Sequence, residues 1–545
     1  MNVHTLTFLF SIAASLLTVF AALRCIHMLQ LESYQPNMYR KWVARAGRTD
    51  ALSGLLLGFA AFFLRIGYMF VHSVSVELSA VLWYGCDILY LLGLLYIGFS
   101  NRKSTDKKPL VFTGRVKRLM VAIVVFSFIL YMNLGIFMKP GYESIGQIAL
   151  ISFLRYLPAM ILPYTVLAGH YSTLPVETAV KQYYLNDAIR KIRNNPNMLK
   201  IAITGSYGKT STKYMLGTIL QEKYKTFFTP GSFNTPMGIT RAVREGLQAD
   251  HEVFIAEMGA RYAGDIDELC KMVEPEIGVI TSVGKQHLET FGSFDAVIQT
   301  KSELLRSLPQ DGAAFINGDI PECREMFDAC TVHNKYFFGL TGENLYMHAV
   351  DIAINFDGST FTLVAEDGEQ VRCTTVLLGK HNIGNITAAA AVAKYAGLTM
   401  QEIASGIEKI KPVEHRLQLI KGPVTVIDDA YNANPVGTKA ALEVLAAFAP
   451  ANRVIVTPGM VELGAEEETF HEQLGRDIAA AANIAILVGK QRVEPIKRGL
   501  MEAGFAEANI MQVASLTEVT ELLPTCAPAG SVVLFENDLP DNYTE

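Results

Sequence analysis

Over the first 170 residues the apolar side chains run in long blocks; beyond that point they break into short strand-like runs and amphipathic stretches. Five blocks stand out, at 5–23, 51–71, 78–99, 119–138 and 145–168, each close to the ~20 residues a helix needs to cross a hydrocarbon core. The first has no basic segment before it and no clear small-residue cleavage site after it, so it reads as a retained helix and not as a signal peptide. Residues 171–198 are polar and helical in pattern, carry Lys181, Arg190, Lys191 and Arg193, and end in the breaker Asn194-Asn195-Pro196. From Leu199 onward, β-branched runs alternate with Ala-rich helices and Gly turns, the texture of an α/β sheet protein. Strand patterns at 424–428, 453–457, 484–488 and 532–535, separated by helices, predict a Rossmann-like layer at the carboxyl end.

The pattern therefore predicts an α-helical transmembrane bundle (1–170), a juxtamembrane connector (171–198), an α/β P-loop ATPase domain (199–412) and a Rossmann-like α/β domain (413–545). Loop charge adds an orientation. The 30–50 loop carries Arg40, Lys41, Arg45 and Arg48, and the 100–118 loop carries Arg102, Lys103, Lys107, Lys108, Arg115, Lys117 and Arg118. The two remaining loops hold only Lys139, so the positive-inside rule places the basic loops in the cytoplasm. An odd number of spans then puts the amino terminus outside and everything after Gly169 inside, as a multi-pass plasma-membrane protein. Trp42 and Trp83 fall at span edges, where interfacial anchors belong. Arg65, Asp87 and Arg155 are costly inside a membrane unless paired or near a headgroup.

Composition changes this picture only by exclusion. A net charge of -6 with a pI near 6.1 offers no basic footprint for nucleic acid. The 7 cysteines are scattered without a CxxC pair, which reads as buried thiols and not as a disulfide framework or zinc site.

Candidate chemistry begins at Leu199–Thr204, a buried-strand pattern followed by Gly205-Ser206-Tyr207-Gly208-Lys209-Thr210-Ser211 and a helix-forming run. Strand, glycine turn and helix start are what a phosphate loop requires: backbone N–H groups close on phosphate oxygens and the helix N-terminus favours negative charge. Lys209 is placed to reach the β/γ-phosphates and Thr210 to ligate Mg²⁺. The loop is shorter than the usual G-x-x-x-x-G-K-[ST].

Further strings follow: Phe233-Asn234-Thr235-Pro236-Met237-Gly238, Ala256-Glu257-Met258-Gly259-Ala260, Ser282-Val283-Gly284-Lys285-Gln286-His287-Leu288, Gln299-Thr300-Lys301-Ser302-Glu303 and Gly379-Lys380-His381-Asn382-Ile383-Gly384-Asn385. His415-Arg416, Asp428-Asp429-Ala430-Tyr431-Asn432-Ala433-Asn434-Pro435 and Gly459-Met460-Val461-Glu462-Leu463-Gly464 complete the series. With the short phosphate loop, this order resembles the Mur ligase family, and the last two strings resemble its branch that adds D-alanyl-D-alanine. The resemblance implies an ATP-dependent ligase joining a carboxylate to an amine through an acyl-phosphate. It implies Lys209, Glu257, His287 and Lys301 as catalytic, with Thr210, Glu257, His287 and a carbamylated Lys301 holding two Mg²⁺ ions. Asn382, Asn385, Arg416 and Asp429 would join the phosphate loop around ATP, and Asn234, Thr235, Asn432 and Asn434 would face substrate. The implied partners are a UDP- or lipid-linked muropeptide precursor, an amino acid or dipeptide amine, and the lipid bilayer.

Each position keeps a plainer reading. His287 and Lys301 could be structural or surface residues, Asn382 and Asn385 helix caps, and Arg416 and Asp429 surface charges at a hinge. Glu257, an acid ending an apolar strand, has the weakest structural alternative. Two departures bear on the substrate: the apolar blocks stand where the family carries a uridine-nucleotide domain, and Val532–Asp538 lacks the common K-G-S-R. A poly-γ-glutamate-like ligase, or a membrane ATPase or transporter that is not a ligase, are the competing readings.

Overall fold

The computed structural model describes residues 3–45, 47–72, 76–100, 109–136, 145–284, 288–355, 358–431, 433–461 and 463–538. They form two compact units, Met1–Gln182 and Tyr183–Leu539.

The first unit is helical: Val3–Ala21, Leu23–Leu31, Pro36–Arg45, Arg48–His72, Val76–Ser100, Gly114–Ile136, Ile145–Met160 and the opening turns of Leu162–Arg193. The expectation of five spans is corrected here. Among the described residues, one helix is long and apolar enough to cross a membrane, Arg48–Gly67, or up to three spans if each of two bent pairs counts as one. The pairs are Thr5–Ala21 with Leu23–Leu31, bent by 44°, and Ala149–Met160 with Leu162–Arg193, bent by 81°. Tyr84–Ser100 is a shorter apolar helix.

The bends have local causes. Thr18 Oγ1 donates back to the Ala14 carbonyl at 2.7 Å, a bond that bends helices. Pro163 has no N–H to continue the ladder past Ile161, and Thr165 Oγ1 donates instead to the Pro158 carbonyl at 3.0 Å. Gly54 lets the Arg48–His72 helix seat on this break, since a Cβ there would lie 2.2 Å from the Ala159 carbonyl oxygen. Trp42 is also corrected: it is buried beside Tyr39, not an exposed anchor. The side chain of Trp83, residues 101–108 of the second basic loop and the whole 139–144 loop lie outside the described residues. The helix Leu162–Arg193 runs through 171–193 of the expected connector.

Arg65, Asp87 and Arg155 come together. Arg65 Nη1 is 3.3 Å and Arg155 Nη2 3.0 Å from the Asp87 carboxylate, and Tyr156 OH donates to it at 3.0 Å.

The second unit holds two sheets. The first comprises β1 (Leu199–Thr204), β2 (Thr226–Phe228), β3 (Val253–Glu257), β4 (Ile277–Ile280), β5 (Ala313–Asn317), β6 (Asn334–Gly339), β7 (Leu345–Asn355), β8 (Gly358–Ala365) and β9 (Gln370–Thr375), in the order β2-β3-β1-β4-β5-β6-β7-β8-β9. Pairing is parallel from β2 through β7 and antiparallel over β7-β8-β9. The second comprises β10 (Gln418–Ile420), β11 (Thr425–Asp429), β12 (Arg453–Thr457), β13 (Ile484–Val488), β14 (Ile510–Val513) and β15 (Val532–Glu536), ordered β10-β11-β15-β12-β13-β14. It is parallel except for β10, the layer its strand spacing predicts.

Parallel strands covered on both faces must be apolar on both. Ile201 and Ile203 enter one core with Leu216, Ile219 and Ile386, while Ala202, between them, enters the other with Ile239, Phe254 and Leu269. Each large buried side chain of this kind contributes ~1.5–3 kcal/mol. The result is a rigid sheet whose carboxyl edge carries the loops described next.

Candidate functional site

The phosphate loop leaves the carboxyl end of β1, an inner strand between β3 and β4, where ligands of open α/β sheets bind. Two glycines are required there. A Cβ on Gly205 would lie 2.1 Å from Thr281 Oγ1, and Gly208 has φ +82 and would carry its Cβ to 2.5 Å from Asn385 Oδ1. Ser206 and Tyr207 are tied down by Ser282: Ser206 N donates to its carbonyl at 2.9 Å and Tyr207 N to its Oγ at 2.8 Å. The N–H groups left for a ligand are those of the first turn of the helix Lys209–Leu220, which has no side-chain cap. Ser211 lies half-buried in that turn. Lys209 Nζ folds back onto the Gly205 carbonyl at 2.7 Å. Burial pushes its amine down to about 8 against the pull of Glu257, and Arg416 adds to the depression.

Glu257 ends β3 at 1% exposure. Its Oε1 accepts from Thr210 Oγ1 at 3.0 Å and Asn234 Nδ2 at 3.1 Å, and its Oε2 accepts from Lys213 Nζ at 3.1 Å. Burial works to raise its carboxyl, but Lys213 and Lys209 outweigh burial and hold it below its ordinary value, so it is ionised. Lys213 is a residue that sequence reasoning missed: within KTSTKYML it looks like any helix lysine, and only burial sets it apart.

Lys301, on the helix Phe294–Ser307, is 4% exposed and forms no hydrogen bond or ion pair with another described residue. Burial and the nearby Lys209 press its amine well below the usual lysine range, against the pull of Glu303. His287 and Asn432 lie outside the described residues. Among the described residues no three His, Cys, Asp or Glu side chains cluster as a metal cage. The donors at hand are the Thr210 hydroxyl and the Glu257 carboxylate, oxygen ligands that fit a hard divalent ion keeping much of its water.

Asn385 packs on Gly208 and accepts from Thr212 Oγ1 at 3.3 Å, which places it against the phosphate loop. Asn382 is buried and spends its amide on the Leu378 carbonyl at 2.8 Å. Thr235 and Asn434 serve as N-caps of the helices Pro236–Gly246 and Pro435–Ala446, each followed by proline at the first helical position.

The second sheet reaches the same place through its hinge. Arg416 Nη2 lies 3.4 Å from Thr210 Oγ1, and its guanidinium sits 4.2 Å from the Tyr431 ring centroid. Its neighbours His415 (φ +58) and Leu417 (φ +48) are held left-handed by bonds to Asp428 and Asp429: His415 Nδ1 is 2.7 Å from Asp428 Oδ2, and Leu417 N donates to Asp429 Oδ1 at 3.0 Å. Asp429 pairs in register with Glu536 on β15, and burial pushes both carboxyls up, Asp429 to about 6. Tyr431 OH also bonds Ser232 Oγ. Together these segments enclose a cavity of about 670 Å³ lined by Thr210, Tyr214, Gln221, Lys409, Arg416 and Tyr431, among others.

Comparison with known proteins agrees with this geometry. A family described as Mur ligase middle domain matches residues 203–393, and one described as Mur ligase, glutamate ligase domain, matches 415–536. The chain is 35% identical over 295 residues to the UDP-N-acetylmuramoyl-tripeptide--D-alanyl-D-alanine ligase of Escherichia coli, covering 53% of this chain and 64% of that one. To the Bacillus subtilis protein of that name it is 33% identical over 339 residues, covering 62% and 72%. Among solved structures it is similar to MurF from Acinetobacter baumannii, with TM-score 0.60, 30% identity and coverage of 66% and 77%. It is also similar to MurF from Thermotoga maritima in complex with ADP, with TM-score 0.58, 26% identity and coverage of 66% and 80%.

Proposed function

This chain belongs to the Mur ligase family, and from that premise we propose that it is an ATP-dependent ligase adding D-alanyl-D-alanine to UDP-N-acetylmuramoyl-tripeptide in peptidoglycan synthesis. The observation that carries the reading is Glu257, an ionised acid at 1% exposure bonded at once to the phosphate-loop Thr210 and to Asn234 of the substrate-facing loop. One carboxylate thus joins the place where ATP is held to the place where the acceptor arrives.

The acceptor carboxylate attacks the γ-phosphate to give an acyl-phosphate and ADP. The amine adds to the acyl carbon, and the tetrahedral intermediate expels phosphate to leave the amide. Lys209 and the free N–H groups of its helix hold the phosphates, and Arg416 approaches from the hinge to meet charge beside Thr210. Magnesium would be held by Thr210 and Glu257, with a second ion on Glu257, His287 and a carbamylated Lys301, and would neutralise the charge built up on the transferring phosphoryl group. Lys301 suits carbamylation because burial favours the neutral amine, the form that adds to CO₂, releasing one proton and leaving a carbamate anion. Asp429 lies beside Arg416 and faces the nucleotide in this reading.

The second part of the proposal is location: the N-terminal unit attaches the enzyme to the plasma membrane as a multi-pass anchor, its amino terminus outside and the catalytic unit in the cytoplasm. Its exterior supports this, since Leu56, Phe63, Ile88, Leu92, Tyr96 and Val121 are all exposed, more apolar surface than a water-facing unit tolerates. In this reading the unit also brings the enzyme to a membrane-proximal, lipid-linked acceptor.

Purified full-length protein, assayed for amine-dependent ADP release across UDP-linked and lipid-linked acceptors with D-alanyl-D-alanine, tests the chemistry. ADP release indifferent to acceptor and amine would mean an ATPase or transporter, and release with a growing glutamate chain alone a polymerising ligase. Reporter fusions after Ser100 and after Thr173 test location; a periplasmic signal at either defeats the topology.

A further inference from the structure

We propose that Lys213 is a positioning residue that couples the nucleotide–metal centre to the substrate-facing loop, so that filling the first orders the second. The inference rests on the ATP-ligase reading and adds how its two substrate sites communicate.

Lys213 is fully buried on the helix that opens with the phosphate loop. An ammonium in that position needs partners for its donors, and it has two of different kinds: the Oε2 of Glu257 and the carbonyl of Gly231. Gly231 is gripped at both its polar groups from one helix, because its N–H donates to the hydroxyl of Tyr214, the next residue, at 2.7 Å. Three residues on, Asn234 Nδ2 reaches the other oxygen of Glu257 at 3.1 Å. The loop 229–235 is therefore fastened to Glu257 twice, directly through Asn234 on Oε1 and through Lys213 on Oε2.

The two fastenings behave differently when nucleotide binds. Oε1 is the oxygen that faces Thr210, so Asn234 must share it with whatever occupies the phosphate site. Among the described residues Oε2 accepts from Lys213 alone, so the Lys213 link persists and holds Gly231 to Glu257 while Oε1 is in use. A close-packed link with no slack passes a shift of the carboxylate to the loop. By reciprocity, an ordered loop then strengthens nucleotide binding by the same factor.

Hydrogen–deuterium exchange of the full chain, with and without Mg²⁺ and ADP, tests this without turnover. In the wild type, Mg·ADP should slow exchange at 205–212 and also at 229–235, the latter by about tenfold. In Lys213→Met, slowing at 205–212 should remain and the Mg·ADP Kd should rise by no more than about the same tenfold, while slowing at 229–235 disappears. Lys213→Arg, which keeps a cation with more than one donor, should retain part of it. Undiminished slowing at 229–235 in Lys213→Met overturns the inference. So does loss at both segments with an unchanged melting temperature, which would put Lys213 in nucleotide binding itself. Should Lys213→Met not fold, Lys213→Gln is judged by the same two segments. A wild type slowed at neither segment removes the ATP reading and the inference with it, whereas slowing at 205–212 alone removes only the inference.

Discussion

Each unit of this molecule holds an acid between two cations, and the two arrangements do different work. Asp87 is enclosed by the guanidinium groups of Arg65 and Arg155 and the hydroxyl of Tyr156, and Arg155 lies 4.0 Å from the Phe10 ring centroid. Rigid planar donors and aromatic rings fill the space around it. Glu257 is held instead by Lys213, with Lys209 near, and shares an oxygen with the small hydroxyl of Thr210 beside the Gly205–Gly208 turn and a large cavity. The first cluster locks helices in a unit whose exterior is apolar; the second stands at the carboxyl edge of a rigid sheet with room for phosphate. A buried ion pair is thus no sign of a site by itself. Open backbone and spare donor capacity beside it are what distinguish one.

That contrast can be broken or sharpened by substitution. Glu257→Gln should cut turnover by about a thousandfold, equivalent to ~4 kcal/mol, and lower the melting temperature as well, because the buried Lys213 loses its counter-charge; phosphate release and calorimetry read the two. Asp87→Asn should act in the opposite sense, leaving Mg·ADP affinity unchanged while destabilising the N-terminal unit by about 3 kcal/mol, because two guanidinium groups lose their counter-charge. Thermal unfolding in detergent measures it, and a mutant as stable as wild type would show that the cluster is not structural. Lys301→Ala should lower turnover about a hundredfold with nucleotide binding retained, and added short-chain carboxylates should restore part of the rate. Full activity in the alanine variant would remove Lys301 from the centre.

The smallest effect concerns a histidine used neutral. His471, 1% exposed, accepts from Met460 N at 2.9 Å and holds the Gly459 turn. Burial, with Arg492 adding, presses it from 6.5 down to about 4. A depressed histidine binds protons in the unfolded chain before the folded one does. Stability therefore falls as pH drops from above 6.5 toward 4, by about 2 kcal/mol between pH 7 and pH 5. Denaturant unfolding at the two pH values should show that slope reduced in His471→Gln, and an unchanged slope would assign it to other groups.

The sequence by itself determined the alternation of strands and helices beyond Leu199 and the place of the phosphate loop. Those signals are local: a strand covered on both faces must be apolar throughout, and a turn approached as closely as Gly205 and Gly208 admits no Cβ. It also marked the residues Arg65, Asp87 and Arg155 as needing an explanation, since charge within an apolar block is costly wherever it ends up. Only the tertiary structure decided what those residues do together. Pro163 marks the 81° bend after Met160 locally, but that a neighbouring helix seats Gly54 against the Ala159 carbonyl there is a tertiary contact. Thr235 and Asn434 sit in strings that read as substrate loops, yet each also starts a helix, because a side chain next to four unpaired N–H groups is used for them. Lys213 shows the limit most clearly. Helical periodicity places it on the helix, but its burial against Glu257 and Gly231 comes from segments 44 and 18 residues away in the chain. Burial of a charge is a property of what packs around it, and that is written in no single stretch of sequence.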